Sequence, residues 1–104
     1  VNLKPLRNKS AGKLVKALEY DFFREDRVNG SHHIYVRGNS IISIPFSNRS
    51  DSISKGIIKE ICEVAGWESR CDLVRVGLVK ARGKGEREAA AASRLELESQ
   101  YAVD

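Results

Sequence analysis

The stretch Val28-Asn29-Gly30-Ser31-His32-His33-Ile34-Tyr35-Val36-Arg37-Gly38-Asn39-Ser40-Ile41-Ile42-Ser43-Ile44-Pro45-Phe46 decides the fold. Asn29-Gly30 is a strong tight-turn signal, and the β-branched and aromatic residues after it make residues 31–37 a strand. Gly38-Asn39 marks the next turn, and the isoleucine-rich residues 40–46 form the strand that follows. Upstream, Phe22 and Phe23 open a first strand that runs through Arg27 and ends at Val28-Asn29-Gly30. Three antiparallel strands joined by short turns result.

Helical periodicity flanks this unit on both sides. Leu14, Val15 and Leu18 recur at helical spacing over residues 11–20, with Lys13 and Lys16 between them and Ser10 placed to cap. After a polar loop at 47–52, Ile57, Ile58, Ile61, Cys62, Val64 and Ala65 keep the same period until Gly66 offers a stop. The order helix, three strands, helix predicts an α+β sandwich: a three-stranded antiparallel sheet with both helices on one face, similar to the double-stranded RNA-binding fold. Beyond Gly66 one further strand is expected over residues 73–79, then a basic glycine-containing link at 81–85 and an alanine-rich helix over 86–98. The chain thus divides into a basic arm (1–10), the α-β-β-β-α domain (11–69) and a C-terminal extension (70–104).

A chain of 104 residues has room for one domain and one modest core, which argues against a large cofactor cleft, and no cofactor is expected. Hydrophobic residues make up 41% and charged residues 31%, the apolar runs are far too short to span a bilayer, and no export signal opens the chain. The expected address is the cytoplasm, with no membrane partner. The net charge of +4 lies wholly in residues 1–70, where 12 Lys and Arg face 8 Asp and Glu. Lys4, Arg7, Lys9, Lys13 and Lys16 precede the first acid, Glu19; such a run favours polyanions through counterion release, or serves only as a solvated tail and helix face. Cys62 and Cys71 lack metal-ligand spacing and read as free thiols, Cys62 as core filler.

Both histidines of the chain, His32 and His33, sit together after the Asn-Gly turn. Imidazole changes charge near neutral pH, so it can take a proton from an RNA 2′-hydroxyl and return one to the leaving oxygen without a metal. Cations or hydroxyls must stabilise the charge that develops on the phosphate, and Arg37, Arg49, Lys55 and the Ser31 hydroxyl are the candidates. Tyr35 is the candidate ring for stacking on a base, and Lys13 and Lys16 are further candidate RNA contacts. Strand alternation places His32, Ile34 and Val36 on one face and His33, Tyr35 and Arg37 on the other. The hydrophobic pattern then predicts that His33 meets solvent beside the aromatic ring and the arginine, while His32 turns towards the apolar side at the strand's opening. Adjacent strand residues diverge and no third histidine or cysteine has matching spacing, so no metal is expected.

From residue 10 to residue 66 the chain resembles the HicA toxin family, the YcfA-like messenger-RNA interferases. The resemblance rests on Gly12-Lys13-Leu14-Val15-Lys16-Ala17-Leu18, on Phe23 seven positions before Gly30, and on Gly30-Ser31-His32-His33-Ile34-Tyr35. Ile44-Pro45-Phe46 and Ile53-Ser54-Lys55-Gly56 follow in the same order. It implies a double-stranded RNA-binding-like fold, metal-independent endoribonuclease activity on messenger RNA, and neutralisation by a HicB-like antitoxin. It also implies that His32, which directly follows Gly-Ser, is catalytic, that Gly30 and Ser31 shape the turn presenting it, and that His33 supports it. Two departures stand out. Phe22 occupies a position where the family commonly has glycine, and the residues after Pro45 lack a histidine often found there; if that histidine assists catalysis, either Arg49 or Ser47 substitutes for it or activity is reduced. A non-catalytic RNA-binding or antitoxin-interaction module of the same fold would carry the same blocks, and RNA scission separates the two.

Overall fold

A computed structural model describes residues 2–101. Helix α1 (Ala11–Tyr20) leads into strands β1 (Arg24–Asn29), β2 (His32–Arg37) and β3 (Ser40–Pro45), and then into helix α2 (Lys55–Ala65). The strands form one antiparallel sheet of order β1-β2-β3. Two further helices, α3 (Arg70–Arg75) and α4 (Lys84–Tyr101), complete the described chain.

Local chemistry sets the boundaries. The Ser10 hydroxyl accepts from Lys13 N at the start of α1, and the Ser54 hydroxyl accepts from Ile57 N at the start of α2, each satisfying an N–H that has no partner within its helix. Gly66 ends α2 in the left-handed conformation, with φ 81°, which glycine adopts without steric penalty. Leu14, Val15 and Leu18 of α1, Tyr35, Ile42 and Ile44 of the sheet, and Ile58 and Ile61 of α2 share one core. Cys62 is buried in that core and both cysteines are free.

The strand expected over 73–79 is absent. Residues 70–75 are helical, because Ser69 and Asp72 form a capping box: Asp72 N donates to the Ser69 hydroxyl and Ser69 N donates to the Asp72 carboxylate. Leu73 and Val76, three residues apart, then face the core together. The first strand also begins later than expected, since Phe23 is taken into the core ahead of Arg24. Burial pushes the Asp72 carboxyl up, but the N–H groups of Glu68 and Ser69 and the Arg75 guanidinium outweigh it and hold the group below its ordinary range. Stability from a carboxyl depressed in the folded state is complete above its unfolded pKa of about 3.9 and is lost as pH falls through the folded value. The melting temperature is therefore expected to fall on the acid side below about pH 4, and less steeply for Asp72→Asn, as a series of melts from pH 7 to pH 2 would show.

The N-terminal segment and the extension belong to the same body. Leu6 lies in the short 3-10 turn Lys4–Leu6 and is fully buried, and Leu73, Val76 and Leu78 join the main core. Phe22 has a left-handed backbone (φ 71°), which explains why glycine suits that position; for phenylalanine the conformation costs about 1–2 kcal/mol. Helix α4 offsets this: Tyr101 stacks on the Phe22 ring at 6.4 Å and the Arg94 guanidinium sits 4.4 Å from its centre.

Candidate active site

The first hairpin positions both histidines. Asn29 pairs with His32, so Gly30 and Ser31 form a two-residue turn, and Gly30 supplies the positive φ of 65° that such turns need at their first position. Phe46 N donates to the Ser31 carbonyl at 2.9 Å, tying the turn to the end of β3. Pro45 pairs with His32 from the other side.

The structure reverses the expected faces of β2. Tyr35 is 1% exposed and packs with Ile42 and Ile44, which fixes the helix-covered side as that of His33, Tyr35 and Arg37. His32, Ile34 and Val36 lie on the open side, where Ile41 is also 60% exposed. The pattern misled because branched aliphatic residues line the open face as well as the core.

His32 is exposed, with Ser43 Oγ 3.5 Å from its Nδ1. His33 stacks on Phe46, ring centres 3.7 Å apart and nearly parallel, and its Nδ1 lies 3.4 Å from Glu25 Oε1. The second imidazole is therefore a packed, carboxylate-held group, and the two rings point to opposite sides of the sheet.

Other predicted residues are dispersed. Tyr35 is buried and cannot stack on a base; burial, followed by the negative charge of Glu25, raises its phenol pKa. Arg37 is unavailable for phosphate as well. Its Nη1 donates to the Asp21 carbonyl at 3.1 Å and its Nη2 to the Ala65 carbonyl at 3.3 Å, while its guanidinium lies between the rings of Phe23 and Tyr101. Arg49 and Lys55 are exposed, Arg49 in the loop after β3 and Lys55 at the first position of α2. The Arg49 carbonyl accepts from Gly12 N at 2.8 Å, and a side chain at Gly12 would come within 3.2 Å of Arg49. Lys13 and Lys16 sit on the outer face of α1, away from the open sheet face.

One feature of β1 escapes sequence reading. A bulge between Glu25 and Arg27 shifts the register, so Arg24 pairs with Val36 and Arg27 with Ile34. Both arginines and Asn29 therefore share the open face with His32, and Glu25 turns to the other side to meet His33. Strict alternation would have placed Asp26 and Val28 there instead. Nothing in the local sequence marks the bulge, because it exists only in the pairing of two strands. The open face consequently offers an imidazole, the Ser43 hydroxyl, the Asn29 amide and the guanidiniums of Arg24 and Arg27, the latter bonded to the Asp26 carboxylate beside it, a set suited to proton transfer beside a phosphate.

These features define a small basic α+β domain of α-β-β-β-α order with a histidine presented to solvent at its first hairpin. The family model of the HicA toxin of bacterial toxin-antitoxin systems matches residues 11–67, and the chain belongs to that family. It is the toxin member of a toxin-antitoxin pair, and its partner is an antitoxin. No curated protein and no solved structure matches it. Among the described residues no helix is long and apolar enough to cross a membrane. Helices α3 and α4 lie beyond the matched segment.

Proposed function

We propose that this toxin is a metal-independent endoribonuclease that cleaves messenger RNA in the cytoplasm, with His32 as general acid and base and a HicB-like antitoxin as its inhibitor. The observation that carries this reading is the placement of His32: its ring is open to solvent, on a turn fixed by two strands and a backbone bond from Phe46. Imidazole accepts the 2′-hydroxyl proton, the 2′-oxygen attacks phosphorus, and the bond to the 5′-oxygen breaks as that oxygen receives a proton. The products are a 2′,3′-cyclic phosphate and a free 5′-hydroxyl. Asn29 and Ser43 are the neighbours placed to hold the phosphate, with Arg27, which would exchange its bond to Asp26 for one to the phosphate, and Arg24 further along the face. Gly30 and Ser31 set the turn, and His33 braces it through Phe46.

The test is incubation of the purified full chain with messenger RNA in the presence of a chelator, followed by analysis of the new ends. Cyclic-phosphate ends from wild type, and their absence with His32→Ala, are expected. RNA that is bound but left whole by the wild type would instead assign a non-catalytic RNA-binding module.

A further inference from the structure

The extension beyond residue 67 forms a groove with α1 that the hairpin chemistry does not use. Lys9, Lys13 and Lys16 line one wall, Tyr20 closes its end, and Val76 and Gly77 supply the opposite wall, around a volume of about 400 Å³. Lys13, Lys16 and Tyr20 follow one another at helical spacing on the outer face of α1, and Lys9 continues the line into the preceding turn. Residues three or four apart on a helix lie about 5–6 Å from each other, so each ammonium can meet a separate phosphate. None of the three lysines is paired with an acid among the described residues.

Tyr20 is 50% exposed, and the Arg94 guanidinium of α4 lies 3.9 Å from the centre of its ring. Arg94 also donates to the Tyr20 carbonyl. One side of the ring is thus held by the extension while the rest meets solvent, as a stacking platform requires. The groove lies on the helix side of the sheet, and the first turn of α1 is bonded through Gly12 to Arg49, four residues beyond Pro45, the partner of His32.

We infer that this groove is a binding track for single-stranded RNA, in which three lysines hold successive phosphates and Tyr20 stacks on a base. The inference rests on the proposal that RNA is the substrate, and it gives the extension a role in holding that substrate. A line of unpaired cations ending in an exposed aromatic is the combination that grips single strands without reading their sequence.

The test measures binding of a labelled single-stranded RNA to the full chain carrying His32→Ala, so that the RNA stays whole, across a range of salt. Each phosphate contact contributes about 0.7 to the slope of log affinity against log salt for single strands. Replacing Lys9, Lys13 and Lys16 together by glutamine is expected to lower that slope by roughly 2. Tyr20→Leu is expected to weaken binding about tenfold at fixed salt with the slope unchanged. An unchanged slope in the triple variant, at an unchanged melting temperature, overturns the track. So does an equal loss on a blunt duplex, or a loss of antitoxin binding with RNA binding intact, which would assign the groove to an acidic protein surface. Because binding is read without scission, a wild type that binds in this way yet never cuts RNA sinks the nuclease proposal alone. A wild type that cuts RNA while the triple variant keeps its slope sinks the track alone.

Discussion

His32→Ala is expected to lower the rate of RNA cleavage by about 10²–10⁴-fold, the usual contribution of a positioned general acid or base. The side chain is exposed and the Ser43 hydroxyl beside it is itself exposed, so stability should change by no more than about 0.5 kcal/mol. His33→Ala should behave in the opposite way. Its ring is stacked on Phe46 and faces Glu25, and loss of such a pair removes about 0.5–1.5 kcal/mol beyond area burial. The second variant should therefore melt earlier and retain most of its cleavage per folded molecule. Single-turnover cleavage and thermal melts of both variants, together with growth of cells expressing each, make the comparison. Loss of cleavage in His33→Ala alone, at an unchanged melting temperature, would transfer the catalytic role to that residue.

Much of the fold was legible because it is encoded locally. Ser10, Ser54 and Gly66 bound the two main helices through bonds that span a few residues, and the Asn29-Gly30 turn fixes the first hairpin within two. The face of β2 was harder to read. Ile34 and Val36 are apolar yet point to the open side, and only the pairing of Tyr35 with Ile42 shows which side the helices cover. The family resemblance points to His32 and alternation points to an exposed His33; the exposed residue is His32, so exposure gives His33 no advantage. Helix α3 had a local signal, the Ser69 to Asp72 capping box, which the β-branched residues after it obscured. The bulge in β1 and the partners of Asp21 had none, because both depend on residues brought together only by folding.

Asp21 carries the second large expected effect. It is fully buried at the end of α1, where the sequence suggests only a polar residue before a strand. Its carboxylate accepts from Trp67 Nε1 at 2.8 Å and from Arg75 Nε and Nη2 at 3.1 Å each, with Arg37 Nη1 at 3.5 Å. Arg75 is itself buried; burial alone would lower its pKa, but the bonds to Asp21 outweigh this and raise it, so the group stays charged. Removing Arg75 leaves Asp21 with only the more distant Arg37 guanidinium and Trp67, and removing Asp21 leaves Arg75 paired only with Asp72; a buried charge stripped of its main partner destabilises by up to about 3–5 kcal/mol. Arg75→Ala and Asp21→Ala are each expected to lose that much in urea unfolding. For a domain of this size the loss corresponds to a drop in melting temperature of roughly 15–30 °C and removes much of a typical total stability.

The double variant should lose less than the sum of the two singles, because the second substitution removes the charge whose main partner the first took away. A loss below about 1 kcal/mol for Arg75→Ala would mean that water reaches Asp21 and that the pair does not hold the extension to the core. The position of this pair gives the result a wider meaning. Asp21 lies inside the segment matched to the toxin family and Arg75 lies beyond it, and Arg75 also bonds Asp72 and Ser93, so the extension supplies the closer of the two guanidiniums that face the buried carboxylate. Cutting the chain after residue 69 would remove Arg75 and the apolar side chains of Leu73, Val76 and Leu78 together. A truncated chain of that kind should fail to fold cooperatively, which makes residues 70–101 part of the folding unit that holds His32 in place.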